Sequence, residues 1–351
     1  MFLKQINLTN FRNYSALQLD FNQRPAILVG NNAAGKSNIL EAVYLLSISK
    51  SLRVESEDEL IDNQAEFTRV EGFLSEPETE LLVLINRPTE QVTFRKKVLV
   101  NGIPKRTIDF IGNLPAVIFY PSDINLVTGP PSLRRWHLDL ALAQIDVNYK
   151  KALTSYEQFL TARNKVLKKI REGHGRLDEL TYWTDELIKN GLKISQKREE
   201  FFNFINLLET PLGKFKFKHN QSEISEERLQ QTNGREVAAA ATLIGPHRDD
   251  YKILLEQKDM AHFGSRGEQR TATLAFKLAQ LEHMAKILGK RPILLLDDVF
   301  SELDANHRAY VVETVSKQQT IIATVELENI PQSFLDSSRI LWVEDGKIKE
   351  V

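Results

Sequence analysis

The run Gly30-Asn31-Asn32-Ala33-Ala34-Gly35-Lys36-Ser37 has the spacing G-x4-G-K-[ST]. In such a loop backbone N–H groups wrap phosphates, the lysine reaches the outer ones, and the serine hydroxyl helps to hold Mg2+. The implied ligand is ATP or GTP. Far downstream, Ile293-Leu294-Leu295-Leu296-Asp297-Asp298 places two carboxylates after four apolar residues. Mg2+ is a hard cation that prefers oxygen, so a carboxylate at the end of a buried strand suits it. Asp297 is the expected metal ligand beside Ser37. Asp298, one residue on, stands where a base or water-orienting group could approach a γ-phosphate. Taken alone the acidic pair could equally be a strand end leading into a turn; the glycine-rich run is what favours the catalytic reading.

Between these runs stands Ser265-Arg266-Gly267-Glu268-Gln269. Ser265 and Glu268 have the S-x-x-E spacing of a capping box, and Leu274, Leu278, Leu281 and Ala285 give the next segment an apolar face. A helix therefore starts here, with its unpaired amides and positive dipole end outward. By itself that is only a well-capped helix.

The elements that must position these side chains follow from pattern. Pro25 to Val29 is a short apolar, β-branched run that predicts a buried strand, and Ile39, Leu40, Val43, Leu45 and Leu46 predict a helix after Ser37. Strands are also expected at 2–9, 17–21, 70–74, 81–85, 92–100 and 116–120, with Asn101-Gly102 as a hairpin turn. Beyond Pro130-Pro131 the spacing of Leu138, Leu142, Ile145, Tyr149, Leu153, Tyr156, Leu160 and Leu167 predicts one long helix. Gly173-His174-Gly175 breaks it, and a second helical stretch runs from Leu180 to Leu208. Arms of roughly 35 to 40 residues would reach about 50–60 Å. Strands return from Phe215, with later ones at 319–324 and 339–343. The expectation is an α/β head made of 1–130 and 212–351, interrupted by a helical lobe at 131–211.

As a set, the three runs resemble those of ABC and SMC-type P-loop ATPases. Nearly end to end the chain is similar to the RecF family within that superfamily: Leu8 to Tyr14, Gly35 to Ala42, Gly245-Pro246-His247-Arg248-Asp249-Asp250, Ser265 to Thr271, and Asp297 to Asp304. The resemblance implies ATP and Mg2+ as cofactors, with the amides of residues 30 to 37 and Lys36 on the phosphates, Ser37 and Asp297 on the metal, and Asp298 orienting water. It implies an ATP-dependent homodimer in which Ser265, Gly267, Glu268 and Gln269 contact the γ-phosphate held by the opposite subunit, with Asp304 lining the same interface. It further implies clamping of double-stranded DNA at single-strand gaps, and loading of RecA with RecO and RecR.

Three positions depart from the commoner pattern. Ala33 stands where these heads usually carry glycine, so a methyl group occupies a position suited to positive φ. Asp298 replaces the glutamate of transporters, and its shorter side chain implies slow hydrolysis, a switch rather than a fast enzyme. Thr324 stands where transporters place a switch histidine. The competing readings are a transporter ATPase subunit and a short-armed SMC-like chromosome organiser. The helical insertion, Asp298 and the 245–250 run speak against the transporter, and the short arms against a long coiled coil.

Composition sets the remaining bounds. The chain has 351 residues, 42% hydrophobic and 26% charged, enough for a full core and a second lobe. It has no cysteine, which excludes disulfides and thiolate metal sites and makes a reducing cytoplasm the natural compartment. No run approaches the ~20 apolar residues that span a bilayer, and Met1 to Lys4 read as neither signal nor transit peptide. The net charge is −1, so contact with DNA must come from local cation clusters. Candidates are Arg95-Lys96-Lys97, Arg134-Arg135, the set Arg163, Lys165, Lys168, Lys169 and Arg171, and the set Lys189, Lys193, Lys197 and Arg198.

Overall fold

In this computed structural model residues 2–88 and 94–350 are described. β1 (Phe2–Phe11) and β2 (Tyr14–Asp20) form a hairpin, and β3 (Ala26–Val29) then leads through the glycine-rich turn into α1 (Lys36–Ile48). β4 (Phe67–Ser75), β5 (Thr79–Asn86), β6 (Lys96–Val100) and β7 (Ile103–Lys105) join the hairpin in an antiparallel sheet of order β2-β1-β4-β5-β6-β7. Val100 pairs with Ile103 across Asn101 and Gly102, both at positive φ, as an Asn-Gly hairpin turn requires. The strand expected at 92–100 begins at Lys96 among the described residues; Val92 and Thr93 lie outside them. After α2 (Thr107–Phe110) comes β8 (Ala116–Phe119), a fully buried run.

Helices follow: α3 (Asn125–Thr128), α4 (Pro131–Ala143), α5 (Val147–Arg171) and α6 (Thr181–Ile205). β9 (Phe215–Asn220), α7 (Glu226–Ala239), β10 (Asp250–Leu255), β11 (Lys258–Asp259) and α8 (Met260–Phe263) precede the long helix α9 (Arg266–Leu288). The chain ends through β12 (Ile293–Asp297), α10 (Ala305–Val315), β13 (Thr320–Thr324), α11 (Gln332–Ser337), β14 (Arg339–Glu344) and β15 (Lys347–Glu350).

Two units result, Met1–Asp123 with Thr273–Val351, and Ile124–Ala272. The first holds the antiparallel sheet and a second sheet of order β15-β14-β3-β13-β12-β8, parallel except for its β15 edge. α1 contacts strands of both sheets and is buried on nearly every side, only Ser37 and Asn38 being partly exposed. A helix buried on nearly every side sits within a core, and its one mid-helix charge, Glu41, is paired there.

The second unit is larger than the 131–211 lobe expected from the sequence. Its boundaries fall at Asp123/Ile124 and Ala272/Thr273. The strands expected to rejoin the head after Phe215 instead form their own sheet, β11-β10-β9. The outer edge of β9 is occupied by a side chain: Asn206 accepts from the Phe217 amide at 2.8 Å and donates to the Phe217 carbonyl at 2.9 Å. The single helix expected through Leu138 to Leu167 is two, because Asp146 caps α5 by accepting from the amides of Asn148 and Tyr149. α5 and α6 have 25 residues each, about 37 Å at 1.5 Å per residue, shorter than the 50–60 Å expected.

Several candidate DNA-contacting cations prove to be structural. Arg163, 1% exposed, pairs with the fully buried Glu236 at 2.7 Å. Arg198 pairs with Asp249 and Asp139, both at 2.7 Å, and Arg134 holds Asp250 through two bonds of 2.7 and 2.9 Å. Lys96 pairs with Glu57, while Arg95 is half-exposed in a surface pair with Asp58 and is not thereby structural. Among the described residues, no helix is long and apolar enough to cross a membrane.

Candidate functional site

The carboxyl ends of β3, β12 and β13 come level with one another, since Val29 pairs with Thr324 and Asp297 with Ala323. Open parallel sheets bind ligands at that edge. A cavity of about 260 Å³ opens there, lined by Asn32, Ala33, Gly35, Lys36, Ser37, Asn38, Arg53, Asp297, Asp298 and Thr324 among others. The structure thus joins the glycine-rich run to the acidic pair. The Ser37 hydroxyl donates to Asp297 Oδ1 at 2.8 Å, and the Lys36 ammonium donates to the carbonyls of Gly30 and Asn31, each at 2.7 Å.

The loop geometry needs its two glycines. Gly30 has φ +155°, and a Cβ there would meet the Val343 carbonyl oxygen at 2.2 Å; Gly35 has φ +115°, and a Cβ there would meet the Tyr14 hydroxyl at 2.5 Å. Ala33 adopts φ 65° despite its methyl group, so the departure from glycine is tolerated at the cost of left-handed strain. Asp298 also has positive φ, 51°. Its amide donates to the Ala323 carbonyl at 2.9 Å and its own carbonyl accepts from Ser301 Oγ at 2.9 Å, which fixes this unusual backbone at the cavity wall.

Beneath the loop lies a layer that sequence reasoning missed. Glu41, 1% exposed, is held by Arg12 through bonds of 3.0 and 2.9 Å, by Arg53 at 3.3 Å, and by the Ser51 hydroxyl. Arg53 also donates to Asn38 Oδ1 at 3.1 Å, Asn38 to Asn13 Oδ1 at 2.9 Å, and Asn13 to the Ala34 carbonyl at 3.1 Å. The network therefore starts at a buried carboxylate and ends on the phosphate loop. Arg12 and Asn13 lie in the Leu8 to Tyr14 run that carried the family resemblance, whereas Arg53 stood in no motif.

The site's electrostatics follow from burial and proximity. Burial lowers the pKa of Lys36, opposed by Asp297 and Asp298. Burial raises that of Asp297; Asp298 adds to the rise, while the Ser37 hydrogen bond, Arg53 and Lys36 oppose it. A carboxylate poised in this way gains from any further positive charge in the cavity. The serine hydroxyl and carboxylate oxygens are hard donors, and Mg2+ characteristically takes one or two carboxylates together with phosphate and water oxygens. The donor set fits that ion.

In the second unit the capping box forms as the spacing requires: Ser265 N–H donates to Glu268 Oε2 at 2.7 Å and Glu268 N–H to Ser265 Oγ at 3.3 Å. Hydrogen bonding from Ser265, its backbone amide first and its side chain second, holds the Glu268 carboxyl below its usual range. Ser265, Arg266, Gly267 and Glu268 are exposed, while Gln269 is buried and donates to the Met260 carbonyl at 2.9 Å. Asp304 caps α10, accepting from His307 N–H at 2.9 Å, and is exposed.

His247 is a structural residue. Its Nε2 donates to the Thr242 carbonyl at 3.0 Å, leaving Nδ1 to accept from the Tyr156 hydroxyl at 2.7 Å. Burial lowers its pKa to about 4.

A phosphate loop after the central strand of a parallel sheet, an acidic strand end hydrogen-bonded to its serine, and a separate capped helix define a P-loop ATPase head of the ABC/SMC type. The family model for the RecF/RecN/SMC N-terminal domain matches residues 2–348. The chain is 35% identical to the DNA replication and repair protein RecF of Bacillus cereus (strain G9842), over 99% of this chain and 98% of the relative. Two solved structures of the recombination mediator protein RecF in the RecFOR pathway are similar. The one with ATP has a TM-score of 0.87 at 30% identity, covering 100% of this chain and 99% of that one. The one with ATPrS has a TM-score of 0.85 at 31% identity, covering 100% and 98%. The chain belongs to the RecF family.

Proposed function

We propose that this protein is an ATP-dependent DNA clamp of recombinational repair. Lys36 and the loop amides of residues 30 to 37 hold the triphosphate of ATP, and Ser37 and Asp297 hold Mg2+. The ion, when bound, neutralises phosphate charge. Asp298 orients the attacking water from its constrained backbone. Ser265, Gly267, Glu268 and Gln269 of one copy complete the pocket of another, with Asp304 on the same interface. Two copies closed on two nucleotides grip duplex DNA at a single-strand gap, and RecO and RecR act with the clamp to load RecA.

One observation carries the two-copy reading. Gly267 sits exposed in the first turn of α9, just past the Ser265 cap. Apart from its chain neighbours and its own helix backbone, no atom lies within 4 Å of the position its Cβ would take, and its φ is not positive. Nothing in its own chain crowds the position, so this exposed first turn is open to a group approaching from outside. The short α5–α6 pair disfavours the long-armed chromosome organiser.

Light scattering with and without ATP tests the reading. The wild-type protein should double in mass on adding ATP, whereas Lys36→Met and Ser265→Arg should remain monomeric. Wild-type protein that stays monomeric with ATP would overturn it.

A further inference from the structure

The α5–α6 pair carries a cluster of three rings in which Tyr182 is exposed and Phe159 and Trp183 are half-buried. Phe159 on α5 meets Tyr182 and Trp183 on α6, with centroids 6.3 and 6.2 Å away, and Tyr182 lies 5.1 Å from Trp183. Tyr182 is 60% exposed and Leu177 55%. The ground beneath is rigid. Arg163, one turn from Phe159, is fixed by Glu236 at 2.7 Å, Thr242 at 2.8 Å and Thr184 at 3.1 Å.

Cations lie along both helices beyond the rings. Lys165, Lys168, Lys169 and Arg171 occupy the last turns of α5, towards the connection with α6. Lys189 and Lys193 follow Tyr182 by roughly two and three turns, on the same face of α6. Acids neutralise some of them: Lys168 is 4.0 Å from Glu172, Lys189 is 3.0 Å from Glu186, and Arg176 is 3.0 Å from Asp178. Among the described residues, no ion pair engages Lys165, Lys169, Arg171 or Lys193. Among the described residues Asp185, one turn from Tyr182, and Glu157, two residues from Phe159, also engage in no ion pair, so the uncommitted cations outnumber the uncommitted acids.

We propose that this ring cluster is a stacking platform for the unpaired bases of single-stranded DNA, with the lysines of both helices on its phosphates. The inference rests on the DNA-clamp reading and deepens it by placing recognition of the unpaired strand on the α5–α6 pair. Every base offers a π-face to an exposed ring, so such a platform tolerates any sequence, and cations beside it follow the backbone. A duplex buries its base faces in its own stack. The rings should therefore matter to a gap and not to paired DNA.

The test uses full-length protein with ATP and two labelled probes of equal length, one duplex with a central single-stranded thymidine gap and one fully paired. Fluorescence anisotropy should show Tyr182→Ala weakening gapped binding by roughly 5- to 100-fold, the range of one lost base stack. Fully paired binding should be unchanged, and Tyr182→Phe, which keeps the ring, should retain gapped affinity. Lys165→Gln with Lys193→Gln should flatten the salt dependence on the gapped probe. The proposal is overturned if Tyr182→Ala binds the gapped probe like wild type, which would leave the rings to a protein partner. Equal loss on both probes overturns it too. Wild-type protein that binds neither probe overturns the clamp reading itself, a result distinct from either of these.

Discussion

Both units bury carboxylates against guanidinium groups, but their networks end differently. In the first, Glu41 is held by Arg12 and Arg53, and the bonds run on through Asn38 and Asn13 to the carbonyl of Ala34 beside an open cavity. In the second, Arg198 is spent on Asp139, Asp249, the Tyr149 hydroxyl and the Pro246 carbonyl, all within the unit. The first network positions a ligand loop; the second closes a core. A buried ion pair alone does not announce a function; the group at which its bonds terminate does.

Breaking the closed network should have the largest effect. Arg198→Leu leaves Asp139 and Asp249 without their cation and should cost about 3–5 kcal/mol, read from urea unfolding, while ATP affinity of the folded fraction is kept. Loss of ATP affinity in parallel would erase the contrast. The same region should respond to acid. His247 is held neutral in the fold, with a pKa of about 4, against about 6.5 when unfolded. Its stability contribution is complete above pH 6.5 and is lost as pH falls towards 4, on the order of 3 kcal/mol. His247→Gln can keep both bonds, donating to Thr242 and accepting from Tyr156, and should show a flatter acid limb in thermal melts across that window.

The loop on which the open network ends should behave in the opposite way. Lys36→Met should reduce ATP affinity by roughly 10- to 100-fold, the range for a hydrogen bond to a charged group, as read by calorimetry. The unfolding midpoint without nucleotide should scarcely move. Smallest is Ala33→Gly, which relieves left-handed strain and should stabilise the protein by roughly 0.5 kcal/mol after the entropy of the added glycine. A destabilised Ala33→Gly protein would show that the methyl group packs favourably.

What could be read from sequence was what a few adjacent residues determine. The phosphate loop, the acidic strand end and the Ser265–Glu268 box are local geometries, and each formed where its spacing placed it. Arg12 and Arg53 were invisible as a pair because they meet at Glu41 only after folding. Arg163 and Arg198 looked like surface cations for the same reason: Glu236 and Asp249 are remote in the chain. The break between α4 and α5 escaped periodicity because the apolar spacing continues across it, and only Asp146, a capping residue, marked it. The strands after Phe215 were legible as strands, but which sheet they join depends on pairing between β9 and β10, which spacing does not encode.

Asn206 also guards a strand border. An open strand edge invites the backbone of another molecule to continue the ladder. At β9 the Phe215 amide is already taken by the Gly213 carbonyl and both polar groups of Phe217 by the one carboxamide. That single amide group acts as a counterfeit neighbouring strand one residue long, and it denies another chain's backbone this stretch of the border.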